Sequence, residues 1–264
     1  MEKFVMAGDT AVRYRDVGIG DRAILLIHGY LCSLEVWDDF AGMLGKEYRV
    51  ISFDVPGHGI SEVKGEIHTM EFIADTIAAL LQKIEVEKVD VVGHSMGGYI
   101  ALAFAKKYEQ MCSSIALFHS HPNCDSEEKK ADRKREIEII KSGRKELLTT
   151  RNPSRGFAKH NRKRLIAAID ELSEQAMLTE DEGIIALLNG MAQKEDMSQF
   201  LKESALRQLF VYGMHDEIFP VEYAKQLADN NPQATIAWLQ ESAHMGFIEE
   251  PQKTLEILKE FLNN

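Results

Sequence analysis

Val89-Asp90-Val91-Val92-Gly93-His94-Ser95-Met96-Gly97-Gly98-Tyr99-Ile100-Ala101-Leu102-Ala103 joins a β-branched run to a small-residue, helix-forming run through Gly-x-Ser-x-Gly. Ser95 therefore falls on a sharp strand-to-helix turn, the geometry of a nucleophile elbow. Such a turn strains the serine backbone, and it leaves no room for side chains at Gly93 and Gly97. The hydroxyl is pushed into the open at a helix N-terminus, where the backbone N–H of Met96 is placed to receive developing negative charge.

Outward from this stretch, strand and helix patterns alternate. Lys3 to Val17 alternates apolar and polar residues around Gly8-Asp9, which predicts an edge hairpin. Ala23 to Ile27 reads as a strand covered on both faces, and it ends in His28-Gly29-Tyr30. That loop can turn the Tyr30 N–H toward a reacting carbonyl as a second oxyanion donor. The spacing predicts a helix over Leu34 to Leu44 with Trp37 as a core anchor, a strand over Arg49 to Phe53, and a helix over Met70 to Ile84. Asp54 and His58, in the turn-rich loop after Phe53, are expected to brace that loop.

Ser114 to Phe118 predicts another buried strand, followed by His119-Ser120-His121. These two histidines have no carboxylate or cysteine at a companion spacing, so they do not read as a metal site. His94, Tyr99, His119 and His121 are candidates for the pocket wall. From Asp125 to about Glu203 strand character disappears, and several helices are predicted, broken near Gly143, Asn152-Pro153 and Gly183. The run from Lys129 to Arg164 is basic, but interspersed glutamates make it read as a solvated helix surface rather than an anion-binding face.

Strands return at Gln208 to Tyr212 and Ala234 to Leu239, with a helix over Val221 to Asn230 between them and a last helix over Pro251 to Leu262. Asp216 follows the first of these strands, with Glu217 as the fallback acid, and His244 follows the second. In a mostly parallel sheet, active sites collect beyond the C-terminal strand ends. Tyr30, Ser95, Asp216 and His244 each follow a different strand, in the order serine, acid, histidine. The expected organisation is an α/β core over residues 1–124 and 204–264, with residues 125–203 as a helical cap.

The sequence resembles the α/β-hydrolase fold family over nearly its whole length. The residues that carry the likeness are His28-Gly29, Asp54-x-Pro56-Gly57-x-Gly59-x-Ser61, Gly93-His94-Ser95-Met96-Gly97-Gly98, Gly213-x-x-Asp216-x-x-x-Pro220, and His244 followed by Glu250-Pro251. The resemblance implies a mostly parallel eight-stranded sheet flanked by helices, with a helical cap inserted after the sixth strand. It points to small bacterial carboxylesterases and lactonases. Relatives with an aspartate nucleophile are disfavoured by Ser95. The resemblance implies that Ser95, Asp216 and His244 are catalytic, that the Tyr30 and Met96 amides form the oxyanion hole, and that the substrate is a small-molecule ester, with no metal or organic cofactor. Triad-dependent cleavage of a C–C bond in a carboxylate substrate, and a low-turnover ligand receptor, are the alternatives.

The formal net charge of −11 excludes the basic footprint of a nucleic-acid-binding surface. Met1 to Gly8 does not read as a signal peptide, and no run approaches the roughly 18 apolar residues of a membrane span. With three irregularly spaced cysteines, Cys32, Cys112 and Cys124, the expectation is a cytoplasmic protein with reduced thiols. The oligomeric state is not written in the pattern.

Overall fold

The computed structural model describes residues 2–264, and of Arg151 the backbone alone. Eight strands form one sheet: β1 (Glu2–Ala7), β2 (Thr10–Val17), β3 (Ala23–Ile27), β4 (Arg49–Phe53), β5 (Val89–His94), β6 (Cys112–Phe118), β7 (Arg207–Gly213) and β8 (Thr235–Leu239). Their spatial order is β1-β2-β4-β3-β5-β6-β7-β8. The hairpin β1–β2 and the β2–β4 pair are antiparallel, and every other pair is parallel. The chain steps outward from β3 to β4, then crosses back to β5 on the far side of β3. That reversal opens a crevice between the ends of β3 and β5, where ligands bind in sheets of this kind.

Alternation along each central strand feeds two cores. Leu25, Ile27 and Val91 pack with Ile73, Ile77 and Ile100 from α2 (Met70–Lys83) and α3 (Met96–Lys107). Ile24, Leu26 and Val92 pack on the other face with Phe40 from α1 (Asp38–Leu44) and Leu258 from α12 (Pro251–Asn263). Trp37 is fully buried and stacks on Phe247, with ring centroids 4.2 Å apart. The helix predicted over Leu34 to Leu44 is divided: Leu34–Trp37 is a 3-10 turn and α1 begins at Asp38.

Six helices lie between β6 and β7: α4 (Glu127–Lys141), α5 (Glu146–Thr149), α6 (Arg151–Arg155), α7 (Ile166–Leu178), α8 (Asp181–Met191) and α9 (Ser198–Glu203). Gly143, at φ 71°, ends the turn after α4 as predicted. The other two breaks fall near the expected positions but ahead of the residues named for them, at Thr150 and at Thr179-Glu180. Pro153 sits in the first turn of α6, where its missing N–H has no partner to lose. Gly183 lies inside α8 because it touches the core, and a Cβ there would sit 2.0 Å from the Gly57 carbonyl oxygen. The two remaining helices are α10 (Val221–Asn230) and the short α11 (Gly246–Glu249), the latter absent from the sequence reading. Among the described residues no helix is long and apolar enough to cross a membrane.

Candidate active site

Ser95 stands between β5 and α3 at φ 51°, ψ −116°, a conformation that side-chain-bearing residues rarely adopt. The turn is held open by its glycines: a Cβ on Gly93 would meet the Gly97 carbonyl oxygen at 2.3 Å. The Ser95 N–H donates to the Phe118 carbonyl at 2.9 Å. Ser120 Oγ donates to the Ser95 carbonyl at 2.7 Å, a brace that no motif in the sequence announces. Met96 is the first residue of α3, so its amide has no intrahelical acceptor. On the loop after β3, Leu31 takes φ 60°. Neither the Tyr30 nor the Met96 amide has an acceptor among the described residues.

His28 and Asp54 shape this loop from behind. His28 Nε2 accepts from the Val55 amide at 3.0 Å, which puts the proton on Nδ1, donating to the Gly29 carbonyl at 2.8 Å. Asp54 is fully buried and takes Arg13 Nε at 2.6 Å, the Leu34 amide at 2.8 Å and the Ile60 amide at 3.0 Å. The bracing role expected for Asp54 is what the contacts show. His58 is fully buried beside His28, and neither of its ring nitrogens has a partner among the described residues.

Asp216 and His244 meet across the loops after β7 and β8. His244 Nδ1 donates to Asp216 Oδ2 at 2.7 Å. Asp216 Oδ1 accepts the Ile218 and Phe219 amides, each at 2.8 Å. Burial alone would raise this carboxyl, but the charge of His244 and the imidazoles of His119 and His244 outweigh it and hold the group far below the usual carboxylate range. Glu217, the fallback acid, is instead paired on the surface with Lys159 at 2.8 Å.

Ser95 and His244 both line a cavity of about 220 Å3, together with Tyr30, Leu31, Cys32 and His94. His94 also supports the histidine loop, its Nε2–H donating to the His244 carbonyl at 2.9 Å. Burial, then the nearby His244 and His119, push His94 well below the usual histidine value, so it serves as a neutral donor. Burial pushes the Cys32 thiol up to about 12, which leaves it inert.

The other three expected wall residues do not line this cavity. His119 turns away at φ 51° and lies behind Asp216, with its Nδ1 3.3 Å from Oδ2 and its Nε2 accepting the Gly246 amide at 3.3 Å. Because Nε2 accepts, the ring proton is on Nδ1 and faces the carboxylate, off the axis of a well-formed hydrogen bond. His121 and Tyr99 pair with each other at 2.9 Å, behind α3, and burial pushes His121 down to about 3.

The helical insertion supplies the opposite wall through Lys129, Arg133, Glu136 and Arg155. Most of the basic run, including Lys134, Arg135, Arg144 and Lys163, is exposed as expected, and among its described cations only Lys129, Arg133 and Arg155 reach the cavity. Arg133 is buried and paired with Asp125, which also takes Lys194. Among the described residues Lys129 and Arg155 form no ion pair, and the buried Tyr30 hydroxyl and Glu136 Oε2 have no hydrogen-bond partner.

One further residue was invisible in the pattern. Glu249, on α11, is buried and accepts from the Ala243 amide at 2.7 Å, the Ala158 amide at 2.8 Å and Asn161 Nδ2 at 3.0 Å. The Gly156 carbonyl accepts the amides of His244 at 2.9 Å and Met245 at 3.1 Å. Residues 156–161 are thereby fastened to the loop that carries His244.

Comparison with known proteins agrees with this architecture. The α/β-hydrolase fold family model matches residues 22–136. A thermophilic esterase from Thermogutta terrifontis, solved with malate bound, superposes with a TM-score of 0.93 at 26% identity, covering 100% of this chain and 98% of that one. An enol-lactonase from Burkholderia xenovorans superposes with a TM-score of 0.91 at 20% identity, over 99% and 100% of the two chains. By sequence, the dihydrolipoyllysine-residue acetyltransferase component of the acetoin cleaving system of Cupriavidus necator is 28% identical over 95% of this chain. The chain spans 66% of that relative's length and 64% of its Pseudomonas putida counterpart's. Strand order, elbow and matched segment agree: the chain has the α/β-hydrolase fold, and it resembles bacterial esterases and lactonases.

Proposed function

We propose that this protein is a serine hydrolase that cleaves a small carboxylic ester or lactone through an acyl-enzyme. The observation that carries the reading is the Asp216–His244 hydrogen bond of 2.7 Å, opening onto the same cavity as a strained Ser95. In this mechanism His244 Nε2 takes the Ser95 proton as Oγ attacks the carbonyl carbon, and Asp216 fixes the imidazole tautomer and stabilises its charge. The Tyr30 and Met96 amides receive the oxyanion, and loss of one such donor costs about 3 kcal/mol of transition-state stabilisation. The alkoxide leaves with the proton from His244. Water, deprotonated by the same histidine, then releases the acid and restores Ser95.

In this reading the insertion, residues 125–203, acts as a cap that sets substrate size and charge. A cavity of about 220 Å3 favours a short acyl chain. Lys129 and Arg155 favour a polar or negative group remote from the scissile bond. The same two cations support a second reading, triad-dependent C–C cleavage of a carboxylate substrate.

A chain-length series of p-nitrophenyl esters tests the proposal, with Ser95→Ala alongside. Hydrolysis should peak at acetate to butyrate and fall by about 10⁴-fold or more in the variant. An organophosphorus reagent should add its mass at Ser95 alone. Equal activity in both proteins would remove Ser95 from the chemistry, and turnover restricted to C–C bonds of dicarboxylate candidates would favour the second reading.

A further inference from the structure

A cluster of metal-ligating side chains lies outside the cavity, where three segments converge. His160 is on the stretch between α6 and α7, His215 follows β7 beside Asp216, and Glu241 follows β8 three residues before His244. Each offers one donor atom, and all three donors lie within 4.8 Å of one another. His160 Nε2 is 3.3 Å from Glu241 Oε2, and the two imidazoles stand edge to face with centroids 4.9 Å apart.

We propose that His160, His215 and Glu241 form a surface site for a transition-metal ion of the Zn²⁺ class, which clips the helical insertion to the loops carrying Asp216 and His244. Bonds of about 2.0–2.1 Å in a tetrahedral site put neighbouring donors roughly 3.4 Å apart. The His160–Glu241 separation already has that value, and the remaining closure is a rotation of exposed side chains. Two imidazoles and one carboxylate leave a fourth position for water, and this donor set selects Zn²⁺ over Mg²⁺, which prefers an all-oxygen octahedron.

The surroundings accommodate the change. His160 Nε2 also contacts the Glu241 carbonyl at 3.1 Å, a bond that a bound metal would replace. Asn161 Nδ2 donates to that same carbonyl at 2.7 Å and keeps it satisfied. Lys159, the nearest cation in sequence, is neutralised by Glu217 at 2.8 Å. The side chains of His160 and Glu241 are 45% and 69% exposed, so an ion reaches them from solvent without any opening of the fold.

Calorimetric titration of the EDTA-treated full chain with ZnCl₂, and separately with MgCl₂, tests the site. One Zn²⁺ per chain and no Mg²⁺ are expected. Affinity should fall by about tenfold or more in His160→Gln, His215→Gln and Glu241→Gln, and binding should vanish in the double histidine variant. Zn²⁺ should raise the thermal midpoint of the wild type and leave that of the double variant unmoved. His244→Ala should bind as the wild type does, and metal-free His160→Gln should retain basal turnover. Absence of Zn²⁺ binding in the wild type, undiminished binding in the double histidine variant, or loss of binding in His244→Ala would overturn the proposal.

Discussion

Asp216 has four N–H groups directed at it, two per oxygen: the Ile218 and Phe219 amides on Oδ1, and the imidazoles of His244 and His119 on Oδ2, the last as an off-axis contact. A carboxylate held this way cannot rotate, so it presents one fixed oxygen to His244. In the proposed mechanism His119 therefore acts as a positioning residue. His119→Ala should lower kcat by about tenfold with little change in KM, since no substrate contact is lost. His119→Asn, which returns an N–H near the position of Nδ1, should recover most of the loss. Equal defects in the two variants, read from steady-state kinetics, would show that only packing is at stake. Ser95, Asp216 and His244 were legible as candidates because each follows the C-terminal end of a strand within a motif. The role of His119 was not, because strand-end position reveals which residue reaches the site edge but not which way a residue at φ 51° turns its ring.

At the level of elements, the edge hairpin declared itself through alternation and the central strands through continuous apolar runs, and β3 and β4 begin and end where the pattern does. The insertion was harder to read because contacts with the core override its local signals. Gly183 looks like a helix breaker, yet it lies in α8 where that helix meets the Gly57 loop. Gly183→Ala should destabilise the protein by about 3 kcal/mol through backbone overlap, with denaturant titration as the check. Glu249 gave no signal because two of its three partners, Ala158 and Asn161, lie on a segment distant in sequence. Glu249→Gln keeps the shape but turns an acceptor into a donor. It should cost about 1–3 kcal/mol of stability and lower kcat more than it raises KM, because the His244 loop loses its anchor.

Taken whole, the molecule buries many of its histidines in the neutral form. Burial, ahead of neighbouring charges, lowers His28, His58, His94 and His119, and lowers His121 to about 3. Unfolded histidine titrates near 6.5, so below that pH the unfolded chain binds protons that the folded chain refuses. Stability should therefore decline as pH falls from about 6.5, each such histidine contributing up to about 1.4 kcal/mol per pH unit. The depressed carboxyl of Asp216 adds a further loss below about pH 4. Urea midpoints at pH 7.5 and 5.5 measure this, and equal midpoints would contradict it.

The bonds from the His244 and Met245 amides to the Gly156 carbonyl bear on how the protein could be re-engineered. The histidine loop takes part of its shape from a segment that, by chain order, belongs to the insertion. Grafting the corresponding helices of another hydrolase onto this sheet would carry off that acceptor along with one wall of the cavity. A chimera with altered selectivity therefore has to keep residues 156–161 with the sheet and place its junctions on the far side of them.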